Sequence, residues 1–173
     1  KIGIIKNKIL IRIIIFLGGK MISLILAAGK GTRMKSEKSK VVHEVNGVPM
    51  VKMVSKLLKN VGIEKSIYIL GHRKEEVLAT IGEVEYVEQA EQLGTGHAVL
   101  IAKEKIEENK DDVLITYGDT PLLKEETINR MKEQFHKEDL DCIILSCNMK
   151  DPFAYGRIIK KEEIILFNEI MIF

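Results

Sequence analysis

The stretch Leu26-Ala27-Ala28-Gly29-Lys30-Gly31-Thr32-Arg33-Met34 combines small residues, two glycines and a permanent cation. Small side chains let backbone N–H groups turn onto a phosphate without obstruction, and Arg33 adds a planar fork of donors. Lys40 supplies a second positive charge a short way on. The pattern suits a polyphosphate, although the same composition also makes surface loops. Two familiar phosphate motifs are excluded. A dinucleotide fingerprint needs a third glycine where Met34 stands, and a P-loop needs an earlier glycine ahead of its Gly-Lys-Ser/Thr run.

A second constellation is Gln89-Ala90-Glu91-Gln92-Leu93-Gly94-Thr95-Gly96-His97-Ala98. Gly94-Thr95-Gly96 reads as a close approach of backbone to a ligand ahead of a helix. Gln89 carries both donors and an acceptor, which suits the edge of a base. The alternative is a helix start capped by Thr95. The third is Tyr117-Gly118-Asp119-Thr120-Pro121. A carboxylate beside glycine at the end of an apolar run suits Mg²⁺, a hard cation that shares its shell with phosphates and water. An aspartate opening a turn before Pro121 is the plainer reading. The fourth, Asp151 to Ile158, starts with an Asp-Pro turn. In it Gly156 can pass close to a sugar or base, and Arg157 suits an ion pair.

His43, His72, His97 and His136 share no metal-ligand spacing, and of these His97 alone falls near a constellation. No nucleophile–base pair is evident.

These segments must be held by an α/β framework. Apolar, β-branched runs at Ile22–Ala27, Ser66–Leu70, Val84–Val87, Val113–Tyr117 and Cys142–Ser146 are continuous rather than alternating, as in strands buried on both faces. Helical spacing links Met50, Val51, Met53, Val54, Leu57 and Leu58, with Pro49 suited to the first helical position. Val77, Leu78 and Ile81 mark a second helix. Ala98, Leu100, Ile101, Lys105 and Ile106 mark a third, and Ile128, Met131 and Phe135 a fourth. The alternation predicts a Rossmann-like, mostly parallel sheet with helices on both faces, incomplete at its C-terminal end. Ligands of such sheets sit beyond the carboxyl ends of the strands, where the first three constellations fall.

The 173 residues give room for one domain. A hydrophobic share of 46% with 30% charged residues fits a soluble globular chain. A net charge of +2 argues against nucleic-acid binding by bulk charge. Cys142 and Cys147 read as buried thiols of a reducing, cytoplasmic compartment. The apolar run Lys8–Leu17 is shorter than the ~20 residues of a spanning helix, so no membrane partner is expected. Residues 1–20 read as a non-native upstream extension, with residues 21–173 as the N-terminal part of a catalytic domain. Ile158 to Leu166 fits a two-stranded turn around Lys160–Glu163. The apolar end Ile170-Met171-Ile172-Phe173, without cap or turn signal, reads as a truncation or frameshift.

The run Leu26–Met34 resembles the signature of nucleotidyltransferases that activate sugar phosphates. With Gln89–Ala98, Tyr117-Gly118-Asp119 and Tyr155-Gly156-Arg157-Ile158, the chain resembles the uridyltransferase domain of bacterial bifunctional enzymes that make UDP-N-acetylglucosamine, a cell-wall precursor. The resemblance implies UTP and N-acetylglucosamine 1-phosphate as substrates, UDP-N-acetylglucosamine and pyrophosphate as products, and Mg²⁺ as cofactor. It implies that Leu26, Ala27, Ala28 and Gly29 hold the nucleotide through backbone, and that Arg33 and Lys40 neutralise the triphosphate. Gln89, Gly94 and Thr95 would recognise uracil, Asp119 would ligate the metal with Tyr117 and Gly118 lining its loop, and Gly156 would approach the sugar. Full-length relatives trimerise through a C-terminal domain not found here. Ser39 departs from the resemblance, which has proline there, and Glu169 takes no role because its register is shifted. Another sugar or alcohol phosphate with UTP or CTP, and a nucleotide-binding module without turnover, remain as alternatives.

Overall fold

The computed structural model describes residues 2–7, 20–109, 111–151, 157–161 and 164–168. Its centre is a four-stranded parallel sheet of β2 (Met21–Leu26), β5 (Ser66–Leu70), β6 (Glu85–Glu88) and β7 (Asp112–Tyr117), in the order β6-β5-β2-β7. The pairs run in register from Ser23↔Ser66, Met21↔Asp112 and Ile67↔Glu85. Because every strand is parallel, all four carboxyl ends open on one edge. The chain order reverses beside β2, which has β5 on one side and β7 on the other. That reversal creates the crevice in which ligands of open α/β sheets lie.

Both faces of the sheet are covered, as the continuous apolar runs require. Ile25, Tyr68 and Leu70 face one layer, packed with Val51, Val54 and Leu58 of α1 (Met50–Asn60), Val77 of α2 (Lys74–Ile81) and Ile128 of α5 (Glu125–Lys137). Ile22, Leu24, Leu26, Ile67 and Ile69 face the other, against Ala98 of α3 (Thr95–Leu100) and Ala102 just before α4 (Lys103–Asn109). Ser23 is the polar exception in the middle of β2; it is fully buried, and its hydroxyl donates to Ser66 Oγ at 2.7 Å. Each buried Ile, Leu or Val contributes about 1.5–3 kcal/mol. An exposed ion pair contributes about 0.2–1 kcal/mol, so aliphatic burial holds the strand ends in place.

Four departures from the sequence expectations have local causes. Pro49 lies just outside α1: its backbone is extended (φ −56°, ψ 135°), and it pairs with Glu44 in the short ladder of β3 (Glu44–Val45) and β4 (Val48–Pro49). The expected third helix is two, α3 and α4, broken at Ile101-Ala102. The fifth expected strand, β8 (Cys142–Cys147), pairs antiparallel with β1 (Ile2–Asn7) rather than extending the parallel sheet. Cys142 is half-buried, with burial and then the Asp141 charge pushing its thiol pKa up, while Cys147 is exposed. The expected two-stranded unit is present as β9 (Arg157–Lys161) against β10 (Ile164–Asn168).

The β6 edge is studded with charge. Glu85 accepts from Lys105 Nζ at 2.8 Å and lies 3.2 Å from Lys65 Nζ, and Glu88 is bonded to Lys74. Among the described residues no helix is long and apolar enough to cross a membrane.

Candidate active site

The four carboxyl ends surround a cavity of about 740 Å³. Leu26, Ala27, Ala28, Gly29, Arg33, Lys40, Gln89, Gly94, Thr95, Tyr117 and Asp119 all line it. Arg33, Thr95 and Asp119, from three separate loops, therefore share one pocket. Gly156 lies outside the described residues.

The loop after β2 is shaped by its backbone bonds. Ala27 N–H donates to Ile69 O at 2.9 Å and Leu26 O accepts from Gly118 N–H at 2.9 Å, so these groups continue the sheet. Beyond them Ala28 is buried and Gly29 is exposed. The chain then turns through Gly31, at φ +61°, into a 3-10 turn over Thr32–Met34 that carries exposed Arg33. A side chain at Gly31 would put its Cβ 2.8 Å from Lys40 Cβ. Glycine here supplies the left-handed turn and lets Lys40 lie against the loop.

Lys40 opens a second 3-10 turn, Lys40–Val42, anchored by buried Val41 and Val42. The residue before it, Ser39, is buried, and its N–H donates to Glu76 Oε2 of α2 at 2.8 Å. The ammonium of Lys40 forms an ion pair with Asp119. Asp119 lies just past β7, beside Thr120, whose hydroxyl donates to Tyr117 O at 2.9 Å. Tyr117 OH in turn lies 3.3 Å from Thr95 Oγ1. Gly118 sits behind the wall rather than in it: it is buried, and a Cβ there would fall 3.1 Å from Val41 Cγ1.

Gln89 closes the ring. It is 5% exposed; its amide nitrogen donates to Gly94 O at 3.2 Å and lies 3.0 Å from His97 Nδ1. Thr95 does not cap α3 with its side chain; Gly94 holds the cap position at φ +97°. The Lys40, Thr95 and Asp119 segments are thus tied to neighbouring elements through side chains.

Residues 23–162 match the family described as the MobA-like NTP transferase domain, a span that takes in every one of these loops. The chain belongs to this family. It is 40% identical over 144 residues to the bifunctional protein GlmU of Acetivibrio thermocellus, covering 83% of this chain and 31% of the relative. It is 43% identical over 142 residues to the bifunctional protein GlmU of Staphylococcus haemolyticus, covering 82% of this chain and 32% of the relative. The chain therefore spans about a third of the length of the curated relatives it matches. Among solved structures, a nucleotidyl transferase from Methanothermobacter thermautotroptrophicus superposes with a TM-score of 0.56 at 22% identity, covering 67% of this chain and 58% of that one. A UDP-glucose pyrophosphorylase from Acinetobacter baumanii gives 0.55 at 22% identity, covering 69% and 54%. These two likenesses establish the fold. Membership of the MobA-like NTP transferase family makes the chain a nucleotidyltransferase domain.

For this family's chemistry the pocket offers two cations and one carboxylate. Among the described residues no group of three or more His, Cys, Asp or Glu is placed to hold a metal ion. Asp119, 20% exposed at the pocket wall, is a single hard-oxygen donor. That set fits a divalent cation of the Mg²⁺ kind, which takes one or two carboxylates and completes its shell with substrate phosphates and water.

Two contributors were not singled out from the sequence. Gly71, directly after β5, packs where a Cβ would fall 2.8 Å from Gln89 O and 2.9 Å from Ala28 Cβ. Its signal was available, a glycine closing a predicted strand on the ligand edge. Glu76 had none, because its bond to Ser39 spans separate elements.

Proposed function

We propose that this chain transfers UMP from UTP to N-acetylglucosamine 1-phosphate, giving UDP-N-acetylglucosamine and pyrophosphate. The observation that carries this reading is the gathering of Arg33, Lys40, Asp119, Gln89, Gly94 and Thr95 around one pocket at the strand ends. The identity to the bifunctional relatives supports nucleotidyl transfer, and the resemblance carried by Leu26–Met34 and Gln89–Ala98 supports the choice of sugar and nucleotide.

In this reading the Ala28-Gly29 backbone and Thr95 flank the nucleotide, and Gln89 with Gly94 meets the base. Arg33 and Lys40 lie against the phosphates. A phosphate oxygen of the sugar phosphate forms a bond to the α-phosphorus as the bond from that phosphorus to the bridging oxygen breaks, releasing pyrophosphate. No protein nucleophile is required: the residues hold the reactants in line and offset developing negative charge. Asp119 and the phosphates would hold the divalent cation, which supplies further positive charge against the phosphates.

The test is pyrophosphate release from UTP, Mg²⁺ and N-acetylglucosamine 1-phosphate, with glucose 1-phosphate in parallel. Release with the first sugar and not the second supports the proposal; preference for another sugar phosphate, or for CTP, replaces it with a sister activity. Asp119, the one carboxylate among the described residues that line the pocket, favours one second reading, nucleotide binding without turnover. UTP binding by calorimetry without pyrophosphate release selects that reading.

A further inference from the structure

Among the described residues Gln89 is the one buried side-chain amide in the pocket wall, and both of its side-chain bonds run through nitrogen. A primary amide nitrogen has two hydrogens. One goes to Gly94 O at 3.2 Å and the other points at His97 Nδ1, 3.0 Å away. Gly94 O is a carbonyl and can only accept, which fixes which end of the amide faces it. With the amide so fixed, His97 Nδ1 must accept as well, placing the imidazole proton on Nε2. The Gln89 backbone N–H is also engaged, with Leu70 O at 2.6 Å.

We infer that His97 is a positioning residue for base selection: by taking the second amide hydrogen, it leaves Gln89 able only to accept from a ligand. The inference rests on the uridine reading above and deepens it. The ring nitrogen N3 of uracil carries a hydrogen and satisfies an acceptor facing it. The same position in cytosine is itself an acceptor, so two lone pairs would oppose each other in a site where Gln89 is 5% exposed. The amino group of cytosine is a donor one position away and meets the oxygen only if the base slides. Were His97 absent, one bond instead of two, that to Gly94 O, would hold the amide, which could then turn to present a hydrogen to the base, and the rejection of cytosine would relax.

The experiment measures UTP and CTP binding to the whole chain by calorimetry with Mg²⁺, in the native sequence, His97→Leu and His97→Asn. Asparagine keeps an acceptor oxygen one bond from Cγ, where His97 has Nδ1; leucine keeps bulk without an acceptor. The expected result is a preference for UTP in the native chain that falls roughly tenfold in His97→Leu, the scale of one mispaired buried hydrogen bond, and is retained in His97→Asn. His97→Ala is read in the same way should leucine prevent folding. An unchanged UTP-to-CTP ratio in the leucine or alanine variant overturns the inference and leaves the uridine reading standing. So does an equal loss for both nucleotides, the mark of a merely structural role. A native chain that binds neither nucleotide, or both equally, overturns the uridine reading and the inference together.

Discussion

Lys40 and Asp119 reach toward each other from different strand-end loops and form an ion pair at the pocket wall, with side chains 39% and 20% exposed. Each neutralises the group the other would use on a metal–triphosphate. Asp119→Asn is therefore expected to act in opposite directions under two conditions. Without metal it frees Lys40, and UTP binds up to about fivefold more tightly, matching the 0.2–1 kcal/mol typical of a part-exposed pair. With Mg²⁺ the gain in affinity that the metal confers on the native chain disappears. Calorimetry in EDTA and in Mg²⁺ separates the two, and a metal-dependent gain that survives in the variant would exclude Asp119 as the ligand.

Arg33 stands exposed on a 3-10 turn that buries none of its own residues, so its removal should spare the fold. Arg33→Ala is expected to keep the native circular dichroism while lowering pyrophosphate release by roughly 10³-fold or more, the range of arginines that stabilise phosphoryl-transfer transition states. Near-native turnover would remove Arg33 from the chemistry.

The bond from Ser39 N–H to Glu76 ties the Lys40 turn to α2. Glu76→Ala should cost about 1–3 kcal/mol, because the buried N–H loses its partner, and UTP affinity should fall as Lys40 loosens. Ser39 has φ −56°, which proline also adopts, and proline has no N–H to strand. In a Ser39→Pro background the further change Glu76→Ala should therefore cost much less. A double-mutant cycle on thermal stability and UTP affinity checks this; strictly additive effects would show that the bond does not position Lys40.

Glu85 offers a pH test away from the pocket. Its carboxyl is held below the usual carboxylate range, first by the hydrogen bond from Lys105 and then by Lys65, against an opposing effect of burial. A carboxylate whose pKa is lowered by folding stabilises the native state above its unfolded pKa of 4.5, and that contribution is lost as pH falls through the folded value. Glu85→Gln should therefore lower the melting temperature at pH 7, by the equivalent of about 0.2–1 kcal/mol per pair lost. The difference should close on titrating well below pH 4.5. A difference that persists in acid would assign the effect to packing.

The ligand edge was legible in the sequence because buried parallel strands are written as unbroken apolar runs. Once Ile22–Ala27, Val84–Val87 and Val113–Tyr117 are parallel strands, the residues that follow them must share an edge, and Arg33, Thr95 and Asp119 meet there. What stayed hidden depends on contacts between elements. The break at Ile101-Ala102 leaves no mark, since Ala98 and Ala102 serve the same buried face whether the helix is one or two. Pro49 satisfied the rule for a first helical residue, yet pairing with Glu44 drew it into a bridge instead. The amide of Gln89 read as donor and acceptor alike, and only the placement of Gly94 and His97 shows that its hydrogens are already committed.

The short β6 strand, with glutamates at both ends clasped by lysines, also bears on how the sheet treats its surroundings. A strand from another molecule could extend the sheet only by displacing solvated charges from that border, and nothing apolar at those positions would offset the loss. The five charged residues along that border, Glu85, Glu88, Lys65, Lys74 and Lys105, thus act as a guard against runaway strand addition, allowing the opposite demands of an open pocket and a non-adhesive rim to be met within one small layer.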